Sequence, residues 1–206
     1  MPDPGQVRAR LQIATTNQGK LRDFAVSAQA LAGHIAVEPL PGLEKISPPE
    51  ENGSSFEENA IAKAIYYSEF TRELVLADDS GLEVEALDGA PGIHSARYAG
   101  PGATDTDNNQ LLLSRLSNLP SREARFVCVL AVAQNSRLLL TSRGAVEGTI
   151  LTAPQGNGGF GYDPLFFYPP LSRSFAELTP EEKLSVSHRG TALRRLFEEL
   201  GEIVRP

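Results

Sequence analysis

The stretch Leu74-Val-Leu-Ala-Asp-Asp-Ser-Gly81 reads as an apolar strand that ends in two adjacent carboxylates, a hydroxyl and a glycine. Residues 74–77 gain by burial, whereas Asp78 and Asp79 lose by it unless a partner or a task retains them. Side chains alternate sides along a strand, so only one of the two acids can point into any one cleft. An acid placed at the mouth of a sheet holds a divalent cation or moves a proton. Asp-Ser-Gly is equally ordinary turn chemistry, and other segments must decide between the two.

Thr15-Thr-Asn-Gln-Gly-Lys20 follows one expected strand and opens a helix. Backbone N–H groups at that helix start, with the Lys20 ammonium, make a natural anion site. It is not a P-loop, because Ala14 and Leu21 stand where that motif needs Gly and Ser or Thr. Glu50 and Glu51 precede a second helix that carries Glu57, Glu58, Asn59 and Lys63, and either Glu50 or Glu51 could supply a second carboxylate beside Asp79 for a hard cation. The acids of the helix itself also read as a solvated first turn that favours the helix dipole.

Gly156-Asn-Gly-Gly-Phe-Gly-Tyr-Asp-Pro164 is the most unusual segment. Its glycines permit close backbone approach to a ligand, while Phe160 and Tyr162 offer flat faces for a base. Asp163 is held extended by the following proline. The competing reading is a structural turn with two aromatics in the core. Near the C-terminus, Lys183 and Arg189 could bind phosphate or a carbonyl oxygen, and His188 could meet a base edge or merely cap a helix.

The elements that must position these groups follow from periodicity. Strands are expected at residues 6–14, 35–40, 74–77 and 82–87, and a hairpin of 125–134 with 137–142 turns at Asn135-Ser136, with 145–151 and 165–168 also extended. Helices are expected at 20–32, stopped by Gly33, and from Ser54 or Ser55 to about 69, where Ser55-Phe-Glu-Glu58 fits a capping box. Others run over 104–116, from Thr179-Pro180, and over 187–200 to a stop at Gly201. Residues 39–53 and 88–103 read as loops. The alternation implies an α/β protein with a mixed sheet.

With 206 residues, 41% hydrophobic and 22% charged, the chain suits a globular protein with one or two lobes. Cys128 is the single cysteine, which excludes an intrachain disulfide framework and a thiolate zinc site. No secretion signal or bilayer-spanning run is visible, and a cytoplasmic location is expected. The net charge of −7 argues against general nucleic-acid affinity, but not against a small phosphate-bearing substrate.

Five blocks in order carry a resemblance over nearly the whole chain. They are Ala14-Thr-Thr-Asn-Gln-Gly-Lys20; Phe56-Glu-Glu-Asn-Ala-Ile-Ala-Lys-Ala64; Ala77-Asp-Asp-Ser-Gly-Leu82 leading to Gly92-Ile-His-Ser-Ala-Arg-Tyr-Ala-Gly100; Gly159-Phe-Gly-Tyr-Asp-Pro164; and Ala176-Glu-Leu-Thr-Pro-Glu-Glu-Lys183 with Ser187-His-Arg-Gly190. The chain resembles the inosine/xanthosine triphosphate pyrophosphatases, which hydrolyse non-standard purine nucleotides such as ITP, dITP and XTP to the monophosphate and pyrophosphate. The resemblance implies a single ITPase-like domain, an elongated mixed central sheet flanked by helices, two lobes with a cleft between them, Mg²⁺ dependence and a homodimer. It implies that Thr15, Thr16, Asn17, Gln18, Gly19 and Lys20 hold the triphosphate, with Ser80 beside them. Asp79 would be catalytic and a metal ligand, Glu50 the second metal contact, and Lys63 and Asp78 further catalytic candidates. Phe160, Gly161, Tyr162 and Asp163 would form a base pocket with Lys183, His188 and Arg189. Gln155 stands where many relatives carry arginine, and residues 1–6 extend beyond the motifs and are expected to be disordered. A pyrimidine-type nucleotide pyrophosphatase and a non-catalytic nucleotide sensor are the alternatives.

Overall fold

A computed structural model describes residues 9–31 and 35–203. The elements in chain order are β1 (Ala9–Ile13), α1 (Gln18–Leu31), β2 (Ile35–Pro39), α2 (Phe56–Tyr67), β3 (Leu74–Val84), α3 (Asp105–Arg115), β4 (Glu123–Gln134), β5 (Arg137–Ile150), β6 (Phe166–Tyr168), β7 (Arg173–Ser174), α4 (Pro180–Val186) and α5 (His188–Ile203). Short 3₁₀ turns link several of them. The seven strands form one sheet in the order β2-β1-β3-β4-β5-β6-β7. β2, β1 and β3 run parallel, whereas β5, β6 and β7 pair antiparallel, so the sheet is mixed and open as the alternation implied.

The chain divides into two compact units, one of Met1–Asp79, Cys128–Gly144 and Arg189–Pro206, the other of Ser80–Val127 and Ala145–His188. In the first, Leu11 and Ile13 of β1, Phe24 of α1, Leu74 and Leu76 of β3, Leu130 and Val132 of β4 and Leu193 and Leu196 of α5 form the core. The second has its own core, which includes Leu82, Leu112, Leu116, Phe126, Phe166 and Phe175. Each such side chain, fully buried, contributes roughly 1.5–3 kcal/mol. Cys128 is buried, and burial pushes its thiol up to about 12, so it packs as a small apolar residue and not as a nucleophile.

Residues 85–87, expected as strand, form a 3₁₀ turn, the expected loop 88–103 holds a 3₁₀ helix at Gly92–Arg97, and β5 runs unbroken through 143–144. Three further boundaries differ for a clear local reason. β3 is continuous through Asp78-Asp79-Ser80-Gly81, where a strand end was expected. Ser95 Oγ accepts from Leu82 N–H at 2.9 Å, so the strand keeps its backbone satisfied beyond the acids. α1 starts at Gln18 because Asn17 Oδ1 accepts from Lys20 N–H at 3.0 Å, the bond of an N-cap. α5 runs on through Gly201 to Ile203, since one half-buried glycine only weakens a helix whose other face is buried. The expected strand start at residues 6–8, the helix stop at Gly33 and the N-terminal residues 1–6 lie outside the described residues.

Candidate active site

The strand alternation expected of the two acids is realised within β3. Asp78 shares the side of Leu74 and Leu76, whose neighbours are α1 and α5. Its carboxylate is 2.7 Å from Lys20 Nζ and 3.6 Å from Arg189 Nη2. Arg189 also donates to Asp23 Oδ2 at 2.7 Å, so α1, β3 and α5 meet in one network of alternating charge whose centre, Asp78 and Arg189, is buried. Burial works to raise the Asp78 carboxyl, but Lys20, Arg189 and Lys63 outweigh it and hold it well below the usual carboxylate range.

Asp79 faces α2 instead. Lys63 donates to its Oδ1 at 2.8 Å, and Asn59 Nδ2 donates to its Oδ2 at 3.2 Å. The Asn59 amide can sit only this way round, because its Oδ1 accepts from Gly53 N–H at 2.9 Å and a carboxylate cannot donate. Here burial wins: the Asp79 carboxyl lies above its ordinary value, although Lys63, Lys20 and Asn59 pull it down. For Lys63 burial opposes the charge, but Asp79, Asp78 and Glu51 outweigh it and the ammonium is raised.

Lys63 donates a second time, to Glu51 Oε1 at 3.1 Å. Glu50, the acid nominated by resemblance as a metal contact, is exposed and accepts from Asn52 Nδ2 at 2.7 Å. Adjacent side chains of a non-helical stretch point to different sides, so a one-residue offset exchanges the inward acid for the outward one. α2 holds this arrangement in register. Ser55 Oγ caps it by accepting from Glu58 N–H at 3.2 Å, while Glu58 reaches back to Ser54 N–H at 2.7 Å, one residue beyond the expected box.

A cavity of about 420 Å³ opens here, lined among others by Thr15, Thr16, Lys20, Glu51, Lys63 and Asp78. It is large enough for a phosphate chain. Thr16, Asn17 and Gln18 are exposed, Thr15 and Lys20 half-buried, and Gly19 buried; Ser80, half-buried, follows Asp79. Among the described residues no group of three or more His, Cys, Asp or Glu side chains forms a metal cage. Glu51 and Asp78 line the cavity, and Asp79 stands beside it through Lys63, the cation it shares with Glu51. Two carboxylates with open positions for water and phosphate oxygen meet the requirements of Mg²⁺.

The second unit holds the glycine-rich segment. Asp163 and Lys183 are buried and paired at 2.5 Å, and Asp163 Oδ2 also accepts from Phe160 N–H at 2.8 Å. Lys183 Nζ lies 4.6 Å from the Phe160 ring centroid, within cation–π range. A Cβ on Gly159 would collide with the Asp163 carboxylate, so glycine there is required by close approach as well as by its φ of +70°.

Other expected pocket members are placed differently. Tyr162 is buried in the core and donates to Ser95 O at 2.8 Å, an anchor and not a stacking face. His188 stacks on Phe126 with centroids 4.8 Å apart. Arg189 points to Asp78 and Asp23, because successive residues of a helix do not share a face. The motif reading missed Asn59, whose two hydrogen bonds were hidden among helical acids, and Asp105 and Asn109, which contact Gly161.

Residues 11–199 match the model of the Ham1 family. A dITP/XTP pyrophosphatase of Acidobacterium capsulatum is 50% identical over 201 residues, covering 92% of this chain and 97% of that protein. One from Desulforamulus reducens is 47% identical over 197 residues, covering 94% and 96%. The solved structure of the Staphylococcus aureus Ham1 protein superposes with a TM-score of 0.82 at 41% identity, covering 94% of this chain and 98% of that one. That of a Coxiella burnetii HAM1 protein gives 0.83 at 40% identity, covering 94% and 99%.

Proposed function

The chain belongs to the Ham1 family, and from that premise we propose that it hydrolyses dITP, ITP and XTP to the nucleoside monophosphate and pyrophosphate. One observation carries the chemistry: Asp79, its carboxyl raised by burial, is held between Lys63 and Asn59 beside the cavity that Thr15, Thr16 and Lys20 line. A phosphate chain needs its charge drained and an attacking water oriented before the anhydride breaks.

In this reading the N-terminus of α1 and the Lys20 ammonium hold the phosphates. Lys63 neutralises phosphate oxygen and keeps Glu51 and Asp79 together. Asp79 takes the proton of the attacking water, a task for which its raised carboxyl is better suited than that of Asp78, which Lys20 and Arg189 hold low. Asp79 and Glu51 would hold Mg²⁺, which would supply further neutralisation of the phosphate charge.

Base choice falls to the second unit. Phe160 offers a half-exposed ring, and the buried Asp163–Lys183 pair offers a fixed acceptor and donor. Hypoxanthine and xanthine present a carbonyl oxygen where adenine presents an amine, so a donor matched to oxygen is left unpaired by adenine. A cytoplasmic homodimer belongs to the same proposal. Among the described residues no helix is long and apolar enough to cross a membrane. The test is pyrophosphate release from dITP, XTP, dGTP, dATP and a pyrimidine triphosphate, with and without Mg²⁺. Release from dITP and XTP, far above the rest and only with Mg²⁺, is expected; equal rates across the panel would sink the assignment.

A further inference from the structure

We propose that Asp105 and Asn109 of α3 are positioning residues for the purine base, acting through Gly161 to set the direction of the Phe160 ring. The inference rests on the reading of Phe160, Asp163 and Lys183 as the base site. Asp105 Oδ2 accepts from Gly161 N–H at 2.7 Å, and Asn109 Nδ2 donates to Gly161 O at 3.0 Å. Residues four apart lie on one helix face. One turn of α3 therefore holds both backbone polar groups of a single loop residue.

That residue is the loose link in the segment. Gly161 has φ +61°, and nothing lies within 4 Å of a Cβ built on it, so glycine serves conformation there and not close packing. A left-handed glycine otherwise samples a wide range of backbone angles. Its neighbours are fixed independently: Phe160 N–H by Asp163, and the Tyr162 hydroxyl by Ser95 O. With Gly161 clamped, the ring of Phe160 is carried at one angle over Lys183. Without the clamp it would spread, and a stacked base would have to order it on binding.

The contacts are not needed to start the helix. Thr104 and Asp107 already form a reciprocal capping box. An acid in the first turn favours the helix dipole whichever way it points. The bonds of Asp105 and Asn109 reach a loop more than fifty positions away in sequence.

The experiment is steady-state hydrolysis of dITP by Asp105→Ala, Asn109→Ala, Asp105→Asn, Asp107→Ala and Phe160→Ala. Loss of one such hydrogen bond should raise KM about fivefold in Asp105→Ala and in Asn109→Ala, with kcat within about twofold of the parent. Asp105→Asn keeps an acceptor and should hold KM close to that of the parent. Asp107→Ala weakens the helix start alone and should leave KM in place. An unchanged KM in both alanine variants, with KM raised by Phe160→Ala, overturns the clamp but keeps the base site. So does an Asp107→Ala effect as large as that of Asp105→Ala. If Phe160→Ala itself leaves KM unchanged, the base-site reading falls and the clamp with it.

Discussion

Asp78 and Asp79, neighbours on β3, titrate in opposite directions: the first is held below the ordinary aspartate value by Lys20, Arg189 and Lys63, the second is lifted above it by burial. One strand thus presents a locked anion on one side and a more basic carboxylate on the other.

The locked anion supports the fold. Asp78→Asn leaves the buried Arg189 and the half-buried Lys20 without their shared counter-charge, which should cost about 3–5 kcal/mol and lower Tm by roughly 10 °C. Because its folded-state pKa is depressed, the Asp78 contribution is present above the unfolded value near pH 4 and is lost as pH falls through the folded value. Thermal unfolding of parent and variant across pH should therefore show a full gap at neutral pH that closes only below about pH 4. A gap that is absent at pH 7 would contradict the network.

Asp79 should behave in the opposite way. Its folded-state pKa is raised, so burial costs the ionised carboxylate more than its partners return, and that cost sets in as pH rises above the unfolded value. Asp79→Asn should leave Tm unchanged or raise it slightly, while turnover of dITP falls by at least about 10²-fold. A large drop in Tm together with retained activity would reverse the roles assigned to the two acids.

Glu51 and Glu50 separate the metal reading from simple acidity. Glu51→Gln should raise the Mg²⁺ concentration for half-maximal activity by about tenfold or more, and Glu50→Gln should leave it where it is. Chelation should abolish turnover in all three proteins and added Mg²⁺ restore it. Equal responses of the two variants would remove Glu51 from the ion.

Phe160→Ala probes the base. Stacking on one aromatic is worth about 1–3 kcal/mol, so KM for dITP should rise by about tenfold or more. Isothermal titration with the monophosphate product would show the same loss in a binding measurement.

Much of this was legible in the residues. The hairpin at Asn135-Ser136 forms with φ of 50° and 60°, the turn chemistry that Asn and Ser support. Thr104 and Thr179 cap the helices that follow them, as capping residues at those places should. The alternation of Asp78 and Asp79 followed from strand geometry alone. What escaped were directions set by tertiary contacts. Whether Glu50 or Glu51 turns inward depends on Lys63 coming down from α2. Arg189 could turn to a base or to an acid, and Asp23 and Asp78 decide it. Tyr162 and Phe160 look alike in the motif, but Ser95 buries one of them.

The ion pair between Asp23 and Arg189 joins positions 166 residues apart. α1, whose start is proposed to hold phosphate, is therefore braced by α5. A nascent chain that has not yet added α5 carries the residues of that helix start without this brace. Removal of α5 would therefore unsettle a helix far ahead of it in the sequence as well as the segment lost.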